Sequence, residues 1–110
     1  MQQGEIWWVN LDPTLGSEIR KTRPCLVLTH DTLNRLRKTV VVVPLSTAAK
    51  PHPPITVSLT CRGRPAVAVI DQIRAISKQR LKSRIEAVPA ETLNVVFQAL
   101  TTILGLRQGR

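Results

Sequence analysis

The run from Thr39 to Leu45 constrains the fold more than any other part of the chain. It reads Thr-Val-Val-Val-Val-Pro-Leu, with four consecutive valines. β-branched side chains favour extended backbone, and an uninterrupted apolar run leaves no polar face to turn towards water. The pattern therefore predicts a strand that is buried on both faces.

Several other segments also read as strands. Pro24 opens one of them, since a residue without an amide donor suits a strand start. In another, apolar residues alternate with threonine and serine, which is typical of a half-buried strand. A short helical turn with Asp31 as its cap is expected over 30–37. The predicted strands are 5–10, 24–29, 39–45 and 55–60, with further extended pieces at 66–70 and 72–76, a loop at 46–54 and a turn at 62–65.

The C-terminal part predicts an amphipathic helix. Pro89 suits a first helical position, Glu91 suits the first turn, and Gly105 suits a terminator. Many short strands and one packed helix favour a mainly β (α+β) domain, a small barrel-like sheet, over a parallel βαβ fold. We expect a single domain over 1–110. The apolar stripe consists of Leu93, Val96, Phe97, Leu100, Ile103 and Leu104.

The charge balance favours a polyanionic partner. Sixteen Lys and Arg against seven Asp and Glu give a formal charge of +9. Nucleic acid, an anionic membrane surface and an acidic protein all fit, as does a basic protein that is merely kept soluble. Two cysteines without a secretory signal read as reduced thiols in the cytoplasm. No apolar run approaches the roughly 20 residues of a membrane span.

The basic residues form three clusters at predicted loops, where they are placed to converge on one groove. Any single charge is more simply explained as part of a solvated face. Trp7 and Trp8 should point to opposite sides of their strand, so one of them is free to stack on a base or to be covered by a subunit interface. The clusters are Arg20, Lys21 and Arg23; Arg62 and Arg64; and Arg74, Lys78, Arg80, Lys82 and Arg84.

Metal and nucleotide cofactors are not expected. His30 and His52 stand far from ligand spacing to any Cys, Asp or Glu, and both read as surface residues. Neither a Gly-rich nucleotide loop nor a nucleophile elbow is present. Composition and spacing alone thus indicate a small basic domain that meets a polyanion, without indicating a reaction.

A series of motifs runs along nearly the whole chain. The motifs are Gly4-Glu5-Ile6-Trp7, Leu11-Asp12-Pro13-Thr14, Gly16-Ser17-Glu18, Lys21-Thr22-Arg23-Pro24, Val41-Val42-Val43-Pro44-Leu45-Ser46-Thr47 and Asp71-Gln72-Ile73-Arg74-Ala75-Ile76. In these motifs and their order the chain resembles the MazF/PemK family of toxin endoribonucleases. The most specific motifs are the Gly-x-Glu of the first loop and the Thr-Arg-Pro that follows it.

This resemblance implies a fold, an activity and partners. The fold would be the small SH3-like barrel of CcdB/PemK type, with strongly bent antiparallel strands and a C-terminal amphipathic helix, assembled as a homodimer. The activity would be metal-independent cleavage of single-stranded RNA at short motifs, leaving 2′,3′-cyclic phosphate and 5′-hydroxyl ends. The expected protein partner is an antitoxin whose acidic, flexible tail blocks the RNA groove.

The resemblance also implies site residues. Arg23 of Thr-Arg-Pro and the hydroxyl of Ser46, often threonine in the family, would be catalytic, and Thr47 is placed to share the hydroxyl role. Val69 stands where one subset of the family has an arginine, so an Arg–Asp catalytic pair is not expected. Ile19 replaces a frequent glutamine. RNA contacts are expected from Glu18, Arg20, Lys21, Thr47, Lys50, Asp71, Gln72 and Arg74, and no metal ligand is expected.

Other interpretations remain open at this point. Arg23 also suits an ion pair with Glu18, and Ser46 also suits a turn at the strand end. Two alternatives to a ribonuclease are a non-catalytic toxin of the gyrase-poisoning type and a basic nucleic-acid-binding module on the same barrel. The presence of Arg23 together with Ser46 favours the nuclease.

Overall fold

A computed structural model describes residues 1–12 and 21–106. This part of the chain contains seven strands, two α-helices and two short 3₁₀ turns, the last at Ile70–Gln72 and Lys78–Arg80. The elements are β1 (Glu5–Asn10), β2 (Thr22–Val27), α1 (Asp31–Leu36), β3 (Thr39–Ser46), β4 (Thr56–Cys61), β5 (Arg64–Val69), β6 (Arg74–Ser77), β7 (Leu81–Ala87) and α2 (Ala90–Leu104).

The strands form one curled antiparallel sheet around β3. The order is β4-β5-β3-β2-β1-β7, and β6 pairs with β3 as well. The first half of β3 pairs with β6 through Val40 and Ile76, whereas its end pairs with β5 through Leu45 and Ala68. The strand thus passes from one set of partners to another, which bends the sheet into a half-barrel. The predicted mainly β barrel with a C-terminal helix is confirmed.

The sheet has an apolar cluster on each face, and both draw on β3. Val43 and Leu45 belong to the cluster under α2, together with Ile6 and Val96. Val40 and Val42 belong to the opposite cluster. Because successive side chains of a strand point to opposite faces, this division explains why the valine run has no polar positions. The prediction of a strand buried on both faces is confirmed.

The second cluster also decides where the two tryptophans lie. Trp7 packs against the cluster that contains Val9 and Cys25. Trp8 is half-buried on the other face, directly opposite Pro24 of β2. The predicted opposite orientation of the two rings is confirmed.

Several predicted boundaries are wrong by one or two residues. β2 begins at Thr22, so Pro24 lies inside the strand rather than at its start. His30, not Asp31, caps α1, because its Nδ1 accepts the amide hydrogen of Thr32. Pro89 is the cap of α2 rather than its first helical residue. The left-handed Gly105 ends α2 with φ of 67°, as predicted.

Two further predictions are wrong: the alternation at the start of β4 places Ile55 inside and Thr56 outside, and the charged stretch that forms β7 is not predicted as a strand. Ile55 is 37% exposed, whereas Thr56 is only 5% exposed. Burial of Thr56 is possible because its hydroxyl accepts the amide hydrogen of His52 at 2.6 Å. The strand β7 was missed, since Lys82 and Arg84 make its sequence read as a solvated charged stretch. It is a strand because it pairs with β1, far away in the sequence.

Among residues 1–12 and 21–106, neither helix combines the length and the apolar character needed to cross a bilayer.

Candidate functional site

A groove of about 510 Å³ opens where β1, β2 and the β4–β5 hairpin meet. Its described lining includes three arginines and no carboxylate, so the groove is positively charged. Apolar groups and hydroxyl groups alternate with the arginines, which suits a ligand that carries both phosphates and flat apolar rings. The described lining residues are Trp8, Thr22, Arg23, Pro24, Leu45, Thr47, Cys61, Arg62, Arg64 and Ala66.

The β4–β5 hairpin brings two of the arginines to the groove. Its loop has two residues, Arg62 and Gly63, because Cys61 pairs directly with Arg64. Both loop residues have positive φ, 55° and 74°, as a type I′ hairpin turn requires. Glycine accepts this geometry without strain, whereas an arginine there is unusual. The tight turn places Arg62 and Arg64 side by side on the wall of the groove.

Glu86 of β7 holds this hairpin in place. The backbone amide of Arg62 donates to the Oε2 atom of Glu86 at 2.6 Å. β4 and β7 stand at opposite ends of the strand order, so this bond links the two edges of the curled sheet. The same carboxylate also acts on the thiol of Cys61. Burial raises the pKa of Cys61 first, Glu86 raises that pKa further, and Arg62 opposes the shift.

The guanidinium of Arg62 lies over the indole ring of Trp8. The Cζ atom of Arg62 is 5.5 Å from the ring centroid, within the range of a cation–π contact. The contact joins the tip of the β4–β5 hairpin to β1.

Arg23 enters the groove from β2. It is exposed and pairs with Val9 of β1 in the sheet register. Its carbonyl accepts the thiol hydrogen of Cys25, with the sulfur 3.7 Å away. The backbone of Arg23 is therefore held by its pairing with β1 and by the hydrogen bond from the buried Cys25. The groove thus brings together residues from two of the three predicted basic clusters.

Lys21 lies just before β2 and has φ of 69°. Its amide donates to the Oδ1 atom of Asp12 at 3.0 Å, and its carbonyl accepts from Leu11 at 2.9 Å. These bonds fix the start of β2 on the end of β1, while the side chain of Lys21 is exposed. Two predicted contact residues of the same region, Glu18 and Arg20, lie outside the described residues, as does the predicted ion pair of Arg23 with Glu18.

Ser46 is the last residue of β3, and Thr47 follows it. Thr47 is among the described residues that line the groove, whereas Ser46 is not. The hydroxyl oxygen of Ser46 accepts the amide hydrogens of Ala48 and Ala49, at 3.1 and 3.0 Å. Ser46 therefore ends the strand with a side-chain turn, the structural role that its position also suggested. Its own hydroxyl hydrogen can still be donated, so the two roles are compatible. Lys50 is exposed in the loop beyond.

Asp71, Gln72 and Arg74 occupy a different part of the sheet. Asp71 and Gln72 belong to the 3₁₀ turn between β5 and β6, and Arg74 pairs with Val42 in the register of β6 and β3. These three residues do not line the groove beside Arg23. Their predicted contacts with RNA stay predictions.

Two arginines of the third basic cluster, Arg80 and Arg84, are used within the fold. Arg84 forms an ion pair with Glu5 at 2.6 Å. Arg80 donates to the carbonyl of Asn10 at 3.1 Å and to that of Asp12. Neither residue lines the groove. The fold therefore brings only the first two basic clusters to this groove, and the predicted convergence of all three is wrong.

Within the described ranges, no three or more histidine, cysteine, aspartate or glutamate side chains come together in a way that would hold a metal ion. His30 and His52 are exposed.

Sequence reasoning missed part of the groove. The sequence leaves Trp8 open between stacking on a base and a subunit interface, and it predicts Arg62 and Arg64 as a basic cluster near a groove without naming them among the RNA contacts. The available signal was the dipeptide Arg62-Gly63 between two strand patterns, which predicts a two-residue hairpin turn. The local sequence pattern does not predict which strand the tip of this hairpin contacts.

Comparison with known proteins identifies close relatives along nearly the whole chain. Residues 2–104 match the family described as PemK-like, MazF-like toxin of type II toxin-antitoxin system. The chain is 40% identical over 109 residues to the endoribonuclease PemK of Escherichia coli, covering 94% of this chain and 82% of that protein. It is 39% identical over 115 residues to the endoribonuclease MazF9 of Mycobacterium tuberculosis, covering 96% and 98%.

Solved structures agree with these sequence relationships. The MazF crystal structure from Deinococcus radiodurans superposes with a TM-score of 0.86 at 28% identity and covers 96% of this chain and 97% of that one. A MazE–MazF complex from the same organism gives a TM-score of 0.77 at 25% identity, with 96% and 97% covered. In that case the structurally similar chain is bound to MazE.

Proposed function

The chain belongs to the MazF/PemK family of toxin endoribonucleases of type II toxin–antitoxin systems, and on that premise we propose that it cleaves single-stranded RNA at short sequence motifs. The products are a 2′,3′-cyclic phosphate and a 5′-hydroxyl end. One observation supports a location for this activity. The same groove is lined by Arg23, Arg62, Arg64 and Thr47.

The reaction is an attack of the RNA's own 2′-oxygen on the adjacent phosphorus. The new P–O2′ bond forms as the P–O5′ bond breaks, the 2′-hydroxyl loses a proton and the departing 5′-oxygen gains one. Negative charge builds on the two non-bridging oxygens of the five-coordinate phosphorus. The enzyme accelerates this step by holding donors where that charge develops.

Arg23 is the donor best suited to that charge. A guanidinium stays protonated at neutral pH and presents a planar fork, which can bond two phosphate oxygens at once. Stabilisation of the transition state is therefore its main role in this proposal. Regular pairing of β2 with β1 fixes its backbone, which limits the reorganisation needed during the reaction.

A hydroxyl at the end of β3 completes the phosphate site. Thr47 lines the groove beside Arg23, and Ser46 orders the turn that presents it by accepting two backbone hydrogens. Ser46 is not among the described residues that line the groove, and its proposed contact with the same phosphate rests on the family resemblance. In this scheme Arg23 and Ser46 are catalytic, and Thr47 shares the contact.

The positive groove also explains the proposed control by an antitoxin. The three arginines of the groove, which has no carboxylate among its described lining residues, attract an acidic, flexible tail through the same charges that attract RNA. A tail that occupies the groove excludes the substrate. The proposed active form is a homodimer in the cytoplasm, where both cysteines stay reduced.

Incubation with a long single-stranded RNA in EDTA tests the proposed activity. Discrete fragments with 5′-hydroxyl and cyclic phosphate ends are expected, and the cut sites on one defined transcript give the motif. Intact RNA that is nevertheless bound would favour the basic binding module. Intact RNA that is not bound would favour a non-catalytic toxin with another target. Arg23→Ala is the matched control against a contaminating nuclease.

A further inference from the structure

We infer that Trp8 and Arg62 form a stacking platform for one RNA base beside the cleaved phosphate. The inference rests on the proposed function and adds a recognition residue pair to it. It assigns the β4–β5 hairpin a role in substrate selection that is separate from phosphate binding by Arg23.

The first reason is the geometry of the pair. The guanidinium of Arg62 lies over the indole at 5.5 Å, and both side chains line the groove that contains Arg23. Arg62 is exposed and Trp8 is half-buried, so both flat groups remain accessible to a further flat group. Bases of single-stranded RNA stack readily on arginine and on aromatic rings.

The second reason is the cost of placing an arginine at this position. Arg62 has φ of 55° in a two-residue turn, where asparagine, aspartate or glycine would be more stable. Backbone strain of this kind is often retained at functional sites. An arginine that served only as a surface charge could stand at many unstrained positions of this chain.

The third reason is that the platform is held from outside the groove. The carboxylate of Glu86 accepts the backbone hydrogen of Arg62 at 2.6 Å. The hairpin tip is therefore anchored to β7 through its main chain, and the Arg62 side chain remains with Trp8. Preorganisation reduces the entropy lost when a base is bound.

The test separates binding from cleavage. The probe is a labelled oligonucleotide across a mapped cut site, with a 2′-deoxyribose at the cleaved nucleotide so that the attacking oxygen is missing. Dissociation constants are measured by fluorescence polarisation for the full-length wild-type protein, Trp8→Leu, Trp8→Phe and Arg62→Asn. The last variant creates the preferred Asn-Gly turn, so its hairpin should fold well. Arg35→Asn on α1 removes the same charge away from the groove and serves as the control.

Loss of the platform should weaken binding by about ten-fold in both Trp8→Leu and Arg62→Asn. Trp8→Phe keeps an aromatic ring and should stay within about three-fold of wild type. The Arg35→Asn control should stay within about two-fold. When each base of the probe is removed in turn, one abasic position should abolish the difference between wild type and the two platform variants.

Three results would overturn the inference. One is wild-type affinity in both platform variants, and another is an equal loss at every abasic position. The third is a salt dependence for Arg62→Asn whose slope falls by about 0.7 without any dependence on the base, since that marks a phosphate contact. If Trp8→Leu fails to fold, Arg62→Asn alone decides. Wild-type protein that does not cleave the all-ribose probe would instead refute the proposed function.

Discussion

Arg84 and Glu5 form an ion pair between β7 and β1, with 2.6 Å between Nε and Oε2. The other carboxylate oxygen accepts the indole hydrogen of Trp7 at 3.0 Å and the amide hydrogen of Gln2 at 2.7 Å. Burial acts to raise the pKa of Glu5, but these hydrogen bonds outweigh it and the pKa is lowered. The buried carboxylate thus joins the N-terminus, β1 and the edge strand.

Glu5→Gln should destabilise the protein by about 1–2 kcal/mol near neutral pH, because charge-assisted bonds are lost. A lowered pKa means that the charged carboxylate stabilises the fold fully above its ordinary pKa of 4.5, and that this contribution is lost as the pH falls through the lower folded value. The difference in the free energy of unfolding between wild type and Glu5→Gln should therefore shrink on acidification. Urea unfolding across this pH range measures it, with Glu91→Gln as an exposed control. A difference that does not change with pH would contradict the assignment.

Arg23→Ala should lower the single-turnover cleavage rate by about 100- to 1000-fold, as expected for loss of a donor to the transition state. RNA affinity should fall much less. Arg23→Lys keeps the charge without the fork and should also be slow. Rates in EDTA and dissociation constants on the uncleavable probe measure both quantities, with Arg35→Ala as the control. Near-full turnover of the lysine variant would rule out the bidentate contact, and a loss of affinity alone would reduce Arg23 to a docking residue.

Ser46→Ala should cost about 1 kcal/mol of stability, because the amides of Ala48 and Ala49 lose their acceptor. Thr47→Ala should leave stability unchanged within about 0.5 kcal/mol, since the residue is exposed. Both variants should slow cleavage, and Ser46→Thr should restore both properties. Thermal unfolding and single-turnover rates are compared on the same samples. Full activity of Ser46→Ala would leave Ser46 with the turn alone.

Gly4→Ala should be more destabilising than Gly105→Ala. Both glycines have positive φ, 89° and 67°, which costs an alanine about 1 kcal/mol or more. A Cβ at Gly4 would make an ordinary contact with Leu93 at 3.4 Å, and one at Gly105 would meet open space. The difference therefore comes from the backbone, because φ of Gly105 lies within the left-handed region open to alanine and φ of Gly4 lies beyond it. Urea unfolding of the two variants measures the difference, and equal losses would contradict the larger backbone cost at Gly4.

The thiol of Cys25 should resist alkylation in the folded protein at about pH 8, where only a thiolate reacts quickly. Burial raises its pKa to about 12, and the nearby charge of Arg74 offsets this only in part. The pKa of Cys61 is raised as well. Intact mass after a short treatment with iodoacetamide should show no adduct without denaturant and two adducts with it. Rapid labelling of Cys61→Ala, in which only Cys25 remains, would contradict the burial of Cys25, and rapid labelling of Cys25→Ala would contradict the protection of Cys61.

Local pattern was enough to predict most of the elements of this protein. The valine run of β3, the alternation in β4 and the apolar stripe of α2 are periodic signals, and each depends on residues close together in the sequence. The many short strands with one packed helix also predicted a small barrel-like sheet. The family motifs added its SH3-like type, and Arg23 with its hydroxyl partner was proposed from them. Boundaries moved by one or two residues where a side-chain cap, such as that of His30, competed with the backbone pattern.

Tertiary structure alone decided which charges form the groove. Arg62 and Arg84 look alike in the sequence, yet one lies over Trp8 and the other is paired with Glu5. The reason is that β7 pairs with β1 across more than half of the chain, and that the curl of the sheet carries the β4–β5 hairpin to the edge of β7. Contacts between residues so distant in sequence depend on how the whole sheet closes, and no local periodicity encodes that closure.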